Sequence, residues 1–142
     1  MTTTVDIAWL GVLLAAFAGF ALNMLWFNER AFYRTWQRAL GNTSTPTDQS
    51  GMGVAFGAVA VALLAQAFAM DWLLQASAAL YGHSISAGAG LLIGAGAGIG
   101  FAAATSLGHR VFAGQGFKVW LIEVGADVIG LAVMGLVLSL WR

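Results

Sequence analysis

Glu123 and Asp127 stand four residues apart in an otherwise apolar run, so on a helix their carboxylates share one face. Counted from Lys118, Glu123 lies ~7.5 Å and Asp127 ~13.5 Å along an axis rising ~1.5 Å per residue. Asn23, Gln66, Thr105, Ser106, His109 and Arg110 add polar groups inside or at the ends of other apolar runs. A charge at a bilayer centre costs ~2.5–3.5 kcal/mol on insertion scales, so such residues are paired, neutralised or functional. Two chemistries fit. In one, Asp127 is the deepest member of a polar cluster open to the cytoplasm, a proton- or ion-coupled pocket with Glu123 as its relay. In the other, which is preferred, Glu123 pairs with Arg110 or Lys118, and a protonated Asp127 donates to Gln66 or Thr105.

Other chemistries find less support. Only His109 lies near acids, and His83 belongs to the opposite surface, so neither a metal site nor a bis-histidine haem is expected. Ser106 and His109 have helical i,i+3 spacing, but a membrane-helix serine usually bonds its own backbone, and no catalytic residue is assigned. The run Gly94–Gly98 has no preceding strand and no following Lys-Ser/Thr, which excludes a phosphate loop. Asp71, beside Trp72, reads as a solvated boundary residue. The absence of cysteine excludes disulfides and thiolate sites, and the formal net charge of zero gives no bulk attraction for nucleic acid. No cofactor is expected.

The elements that must position these residues are four apolar stretches, about 7–27, 52–74, 87–107 and 119–141. Each is long enough to cross a hydrocarbon layer ~30 Å thick. With 60% hydrophobic and 8% charged residues, the chain reads as an all-α polytopic membrane protein. One four-helix transmembrane domain over residues 1–142 is expected, with two helical hairpins and a short interfacial amphipathic helix at about 29–40. Met1–Asp6 carries no Lys or Arg, unlike a cleavable export signal, so the first helix should be retained.

The first connection carries Arg30, Arg34 and Arg38, and the third carries Arg110 and Lys118; the far side has Arg142 alone. This asymmetry places the first and third connections in the cytoplasm and both termini outside. The tryptophans fall near span ends, as interfacial anchors do. Arg30, Arg34 and Arg38 recur every four residues on one face, with Phe32, Trp36 and Leu40 about 200° away. Gly41-Asn42 is a stop signal. Rings lowered into the interface and guanidiniums towards anionic phospholipid headgroups, at ~1 kcal/mol each, would suit that pattern. Asn42–Gly51, with Pro46, reads as a linker.

Glycine spacing supplies the packing surface. Gly90, Gly94 and Gly98 repeat every four residues, Gly96 and Gly100 form a second pair, and Gly11, Ala15, Gly19, Gly53 and Gly57 add similar spacing elsewhere. Such repeats let helix backbones approach closely. They predict a central third span, a first span suited to lipid, and a small-residue face open to a homo-oligomer.

Several short motifs in order also carry a family likeness. They are Trp26-Phe27, Phe32, Trp36, Leu40-Gly41, Met52-Gly53, Lys118-Val119-Trp120-Leu121-Ile122, Met134-Gly135 and Leu140-Trp141. In these the chain resembles the small bacterial membrane proteins grouped as the domain-of-unknown-function family numbered 1761. The resemblance implies four helices in the bacterial cytoplasmic (inner) membrane and brings no established activity. It also implies an amide rather than an acid near Glu123 in other members, and a Ser-Pro type turn in place of Asn28-Glu29. The Glu123–Asp127 pair would then be particular to this chain and close relatives. The expectation is a non-catalytic membrane module, either accessory subunit or lipid-interacting scaffold, ahead of a small permease, with a membrane enzyme last.

Overall fold

A computed structural model describes residues 6–41 and 51–142. Among them every regular element is helical: α1 (Trp9–Trp26), α2 (Tyr33–Ala39), α3 (Met52–Tyr81), α4 (Ala87–Phe112) and α5 (Phe117–Trp141). All but α2 are long and apolar enough to cross a membrane. The expected linker lies, but for Gly51, outside the described residues.

α3 is longer than its apolar run suggests. Its 30 residues span about 45 Å and continue through Gln75–Tyr81, where a connection was expected. Alanine and leucine dominate that extension and favour helix. The helix stops at Gly82, whose φ of +74° a side chain rarely tolerates. α4 begins behind Ser86, whose hydroxyl accepts from the Ala89 N–H at 3.3 Å, an ordinary N-cap.

The hub is α5, which packs on α1, α3 and α4 and touches α2. The third span was expected at the centre; instead α4 packs chiefly on α5 and scarcely meets α3. The physical reason is that α5 carries small residues on several faces. Gly125 seats the Trp26 ring, Gly130 faces Leu22, and Gly135 lies against the Gly90 backbone. α1 and α3 run antiparallel to one another, and α5 is antiparallel to both α1 and α4, as their cross-contacts require.

Two kinds of packing hold the helices. Between α1, α3 and α5, Val12, Ala15, Ala16, Leu63, Ala67, Met70, Leu74, Met134 and Leu138 form an interdigitated core. α1 turns Gly11, Ala15 and Gly19 inward and leaves Leu10, Leu13 and Phe17 outward. The inward stripe is the small-residue spacing expected to pack, and the outward stripe carries the leucine and phenylalanine side chains for which the span was expected to suit lipid. Between α4 and α5 the contact is backbone on backbone. A Cβ at Gly90, Gly94 or Gly98 would collide with Gly135, Leu131 or Val128; at Gly98 the Val128 Cα would stand 2.7 Å away. Gly96 and Gly100, on the other side of α4, have nothing within 4 Å.

Within α4, Gly98–Ala103 forms a π-helical segment. Three glycines, Gly96, Gly98 and Gly100, weaken the local preference for the tighter α-turn. The wider turn suits the bond that the Ala103 carbonyl accepts from the Trp120 indole at 3.2 Å.

Candidate functional site

At the α2 end, side chains from α2 and α4 converge on Glu123 of α5. The Arg110 Nε donates to Glu123 Oε2 at 2.7 Å, and the Trp36 Nε1 donates to Oε1 at 3.0 Å. Arg110 also reaches Gln115 Oε1 at 2.6 Å. Glu123 is 18% exposed and Arg110 38%, so the pair is partly withdrawn from the surroundings and has both carboxylate oxygens occupied. The Glu123–Arg110 pairing is the first half of the preferred alternative read from the sequence, with Arg110 rather than Lys118 as the partner.

Three indoles at this end do more than anchor. Besides Trp36, the Trp26 N–H donates to the Ile122 carbonyl at 3.0 Å, and Trp120 reaches both the Ala103 carbonyl and Ser106 Oγ at 3.2 Å. Treating every tryptophan as an interfacial anchor therefore fails for these three. An indole turned inward must find an acceptor, because an unsatisfied N–H in an apolar setting is costly. Stacking of Trp26 on Phe32 (centroids 4.4 Å apart) and an edge contact of Trp36 with Phe27 (5.5 Å) extend the aromatic joint.

The polar cluster expected around Glu123 assembles only in part. Arg110 joins it. Asn23 instead donates to the Gly19 carbonyl of its own helix at 3.0 Å. Thr105 and His109 lie exposed on α4 and are not among the groups bonded to Glu123. Ser106 donates to the Ala103 carbonyl at 3.3 Å rather than engaging His109. Asp127 is half-buried one turn above Glu123, and neither Gln66 nor Thr105 bonds it; among the described residues no hydrogen bond reaches it. No three His, Cys, Asp or Glu residues among those described are placed to hold a metal ion.

α2 is shorter than the expected 29–40 helix. Arg34 and Arg38 lie on it, whereas Arg30 sits in the preceding turn, its N–H held by Asn28 Oδ1 at 3.0 Å. All three guanidinium side chains are exposed, and Arg34 meets Glu29 at 3.4 Å. Trp36, expected to point into the interface with Phe32 and Leu40, turns onto Glu123 instead.

The opposite end holds the strongest polar joint, which the sequence reading missed. Asp71, expected to be solvated, is completely buried. Arg142 grips it with two bonds, Nε to Oδ1 at 2.9 Å and Nη2 to Oδ2 at 3.0 Å. Oδ2 also accepts from Gln75 Nε2 at 2.9 Å and from the Ala8 N–H at 3.3 Å. Arg142 Nη2 further donates to the Asp6 carbonyl at 2.7 Å. The overrun of α3 puts Asp71 well inside the helix rather than at its end, and α5 brings Arg142 alongside. One fork thus ties α1, α3 and α5 together.

Beside this joint is a cavity of about 310 Å³, open on one side, into which Gln75, Ser84, Ser139 and Arg142 present polar groups and Ala78 and Ile85 apolar wall. A family model described as protein of unknown function (DUF1761) matches residues 10–139. No curated protein and no solved structure matches the chain.

Proposed function

Since the chain belongs to the DUF1761 family of proteins of unknown function, we propose a role from its geometry: a non-catalytic integral membrane module, accessory subunit or lipid-interacting scaffold, of the bacterial cytoplasmic membrane. The observation that carries this reading is the clamping of charge at both ends of the bundle. Glu123 is held by Arg110 and Trp36, and Asp71 by Arg142, Gln75 and a backbone N–H. Between the two joints lies the apolar core of Met134, Leu138 and Ala67. Carboxylates held in this way fasten helices together; a mobile proton would have to break the fastening.

In this reading the four long helices cross the bilayer as two hairpins, α2 and the α4–α5 connection face the cytoplasm, and both termini face outward. The charge asymmetry of the connections supports that orientation. Arg30, Arg34 and Arg38 meet anionic headgroups, and the open Gly96–Gly100 face receives a second copy. A second reading, a small proton- or ion-coupled permease, draws on Asp127, whose carboxyl has no bonding partner among the described residues.

Proteoliposomes carrying a pH gradient separate the two. The module predicts dissipation no faster than in protein-free vesicles and no change on Asp127→Asn. Flux that disappears with Asp127→Asn would replace it with the permease. The chain has no cysteine, so single cysteines at Arg34 and Ser84 can report sidedness without background. Impermeant maleimide on intact cells should label the second and spare the first.

A further inference from the structure

The cavity beside Asp71 offers a donor and acceptor set that nothing in the bundle consumes. Arg142 Nε and Nη2 are engaged, but Nη1 has no partner among the described residues. Gln75 uses its amide nitrogen on Asp71, which leaves its carbonyl oxygen as an acceptor. Ser139 donates to the Gly135 carbonyl at 2.7 Å and keeps its lone pairs. Ser84 contributes a hydroxyl that can act either way. The fork on a fully buried carboxylate orients the guanidinium plane.

Three features define the occupant. The volume, about 310 Å³, is at the lower limit of small-molecule sites (~300–1,000 Å³). Arg142 and Asp71 cancel, and Asp6, whose carbonyl the same guanidinium grips, adds a negative charge nearby, so the site disfavours a net anion and favours a ligand with both signs. Trp9, Trp72 and Trp141 stand exposed at the same end, the level at which aromatic rings meet headgroups. We propose that this cavity binds a zwitterionic phosphodiester, the phosphoethanolamine headgroup of a membrane phospholipid. Its phosphate oxygens take the Arg142 Nη1 and Ser84 donors, and its ammonium takes Gln75 Oε1 and Ser139 Oγ. The acyl chains leave along the seam between α3 and α4, where the helices scarcely meet. This assignment rests on the membrane reading above, and the maleimide labelling tests that reading separately.

The test uses purified full-length protein offered equal amounts of phosphatidylethanolamine and phosphatidylglycerol with matched acyl chains, with retained lipid counted by native mass spectrometry. The wild type should retain the ethanolamine lipid about ten-fold over the glycerol lipid, a discrimination of one strong polar contact. Ala78→Phe, which fills the cavity and leaves every polar group in place, should abolish that preference. Ser84→Ala, which removes no bond to Asp71, should weaken it several-fold with an unchanged melting temperature, so a fold defect in the first variant does not decide the matter. Equal retention of the two lipids, or an undiminished preference in Ser84→Ala, would overturn the proposal. So would displacement of the lipid by equimolar glycerophosphoethanolamine, which would assign the site to a soluble phosphodiester.

Discussion

Alanine at Gly94 and alanine at Gly96 should have opposite effects. Both positions lie on α4 two residues apart, so intrinsic helix preference is common to them. A Cβ at Gly94 would run into the Leu131 carbonyl oxygen, with the Leu131 carbonyl carbon at 2.7 Å and the Ala132 Cα at 2.9 Å. Unbonded carbons settle at ~3.5–4.0 Å, so α4 and α5 must part by about 1 Å. Every obstacle is backbone, and no rotamer change relieves the clash. Parting the helices also loosens Gly90 against Gly135 and Gly98 against Val128, where a gap of 0.5–1 Å forfeits roughly a quarter to a half of each contact. Overpacking of this kind costs ~1–3 kcal/mol, partly offset by the better helix propensity of alanine. At Gly96 nothing within the same chain lies within 4 Å, so in the dissociated protomer only the propensity gain of ~0.5–1 kcal/mol remains. The two variants should therefore differ by about 2 kcal/mol, or roughly 4–8 °C in Tm for a chain of this size. Thermal unfolding in a single detergent, followed by far-UV circular dichroism, measures the difference. If Gly94→Ala melts with or above Gly96→Ala, the backbone contact between α4 and α5 is not what holds them.

Three further outcomes follow from the polar joints. Asp71→Ala leaves Arg142 without its carboxylate and should cost on the order of 3 kcal/mol, while Asp71→Leu combined with Arg142→Met should recover most of it; a double-mutant cycle on Tm checks both. Trp36→Phe keeps the ring but loses the indole bond to Glu123, so a drop of about 1–2 kcal/mol is expected. Faster proteolysis of the α2 segment should accompany it. His109→Ala and Thr105→Ala alter exposed positions whose side chains have no hydrogen-bond partner among the described residues and should stay within ~0.5 kcal/mol of the parent in the same melts.

Helix number and approximate position were legible in the sequence because twenty-residue apolar runs admit few other structures. The Glu123–Arg110 pair was legible for a local reason: both residues flank one short connection. The Asp71–Arg142 fork was not, since 71 positions separate its partners and the apparent end of the apolar run at Leu74 disguised the true end of α3. One signal was present. Arg142 is the lone basic residue on the expected outer side, and Asp71 is the lone acid of the second span at a similar depth. The hub was misplaced because glycine count alone favours α4, whereas a hub needs small residues distributed around its circumference, as Gly125, Gly130 and Gly135 provide on α5. Trp36 was assigned to lipid because helical spacing groups it with Phe32 and Leu40, and spacing does not report that an indole has a carboxylate within reach.

The fork at Asp71 also sets a timetable for biogenesis. Asp71 emerges from the ribosome long before Arg142, so while the chain grows by the 71 positions that separate them an acidic side chain in the second span has no counter-charge to receive it. Until α5 arrives, α1 and α3 form an unfinished assembly that a membrane quality-control protease could distinguish from the completed protein. Fold completion is thereby postponed to the residue that caps the helix every other helix needs.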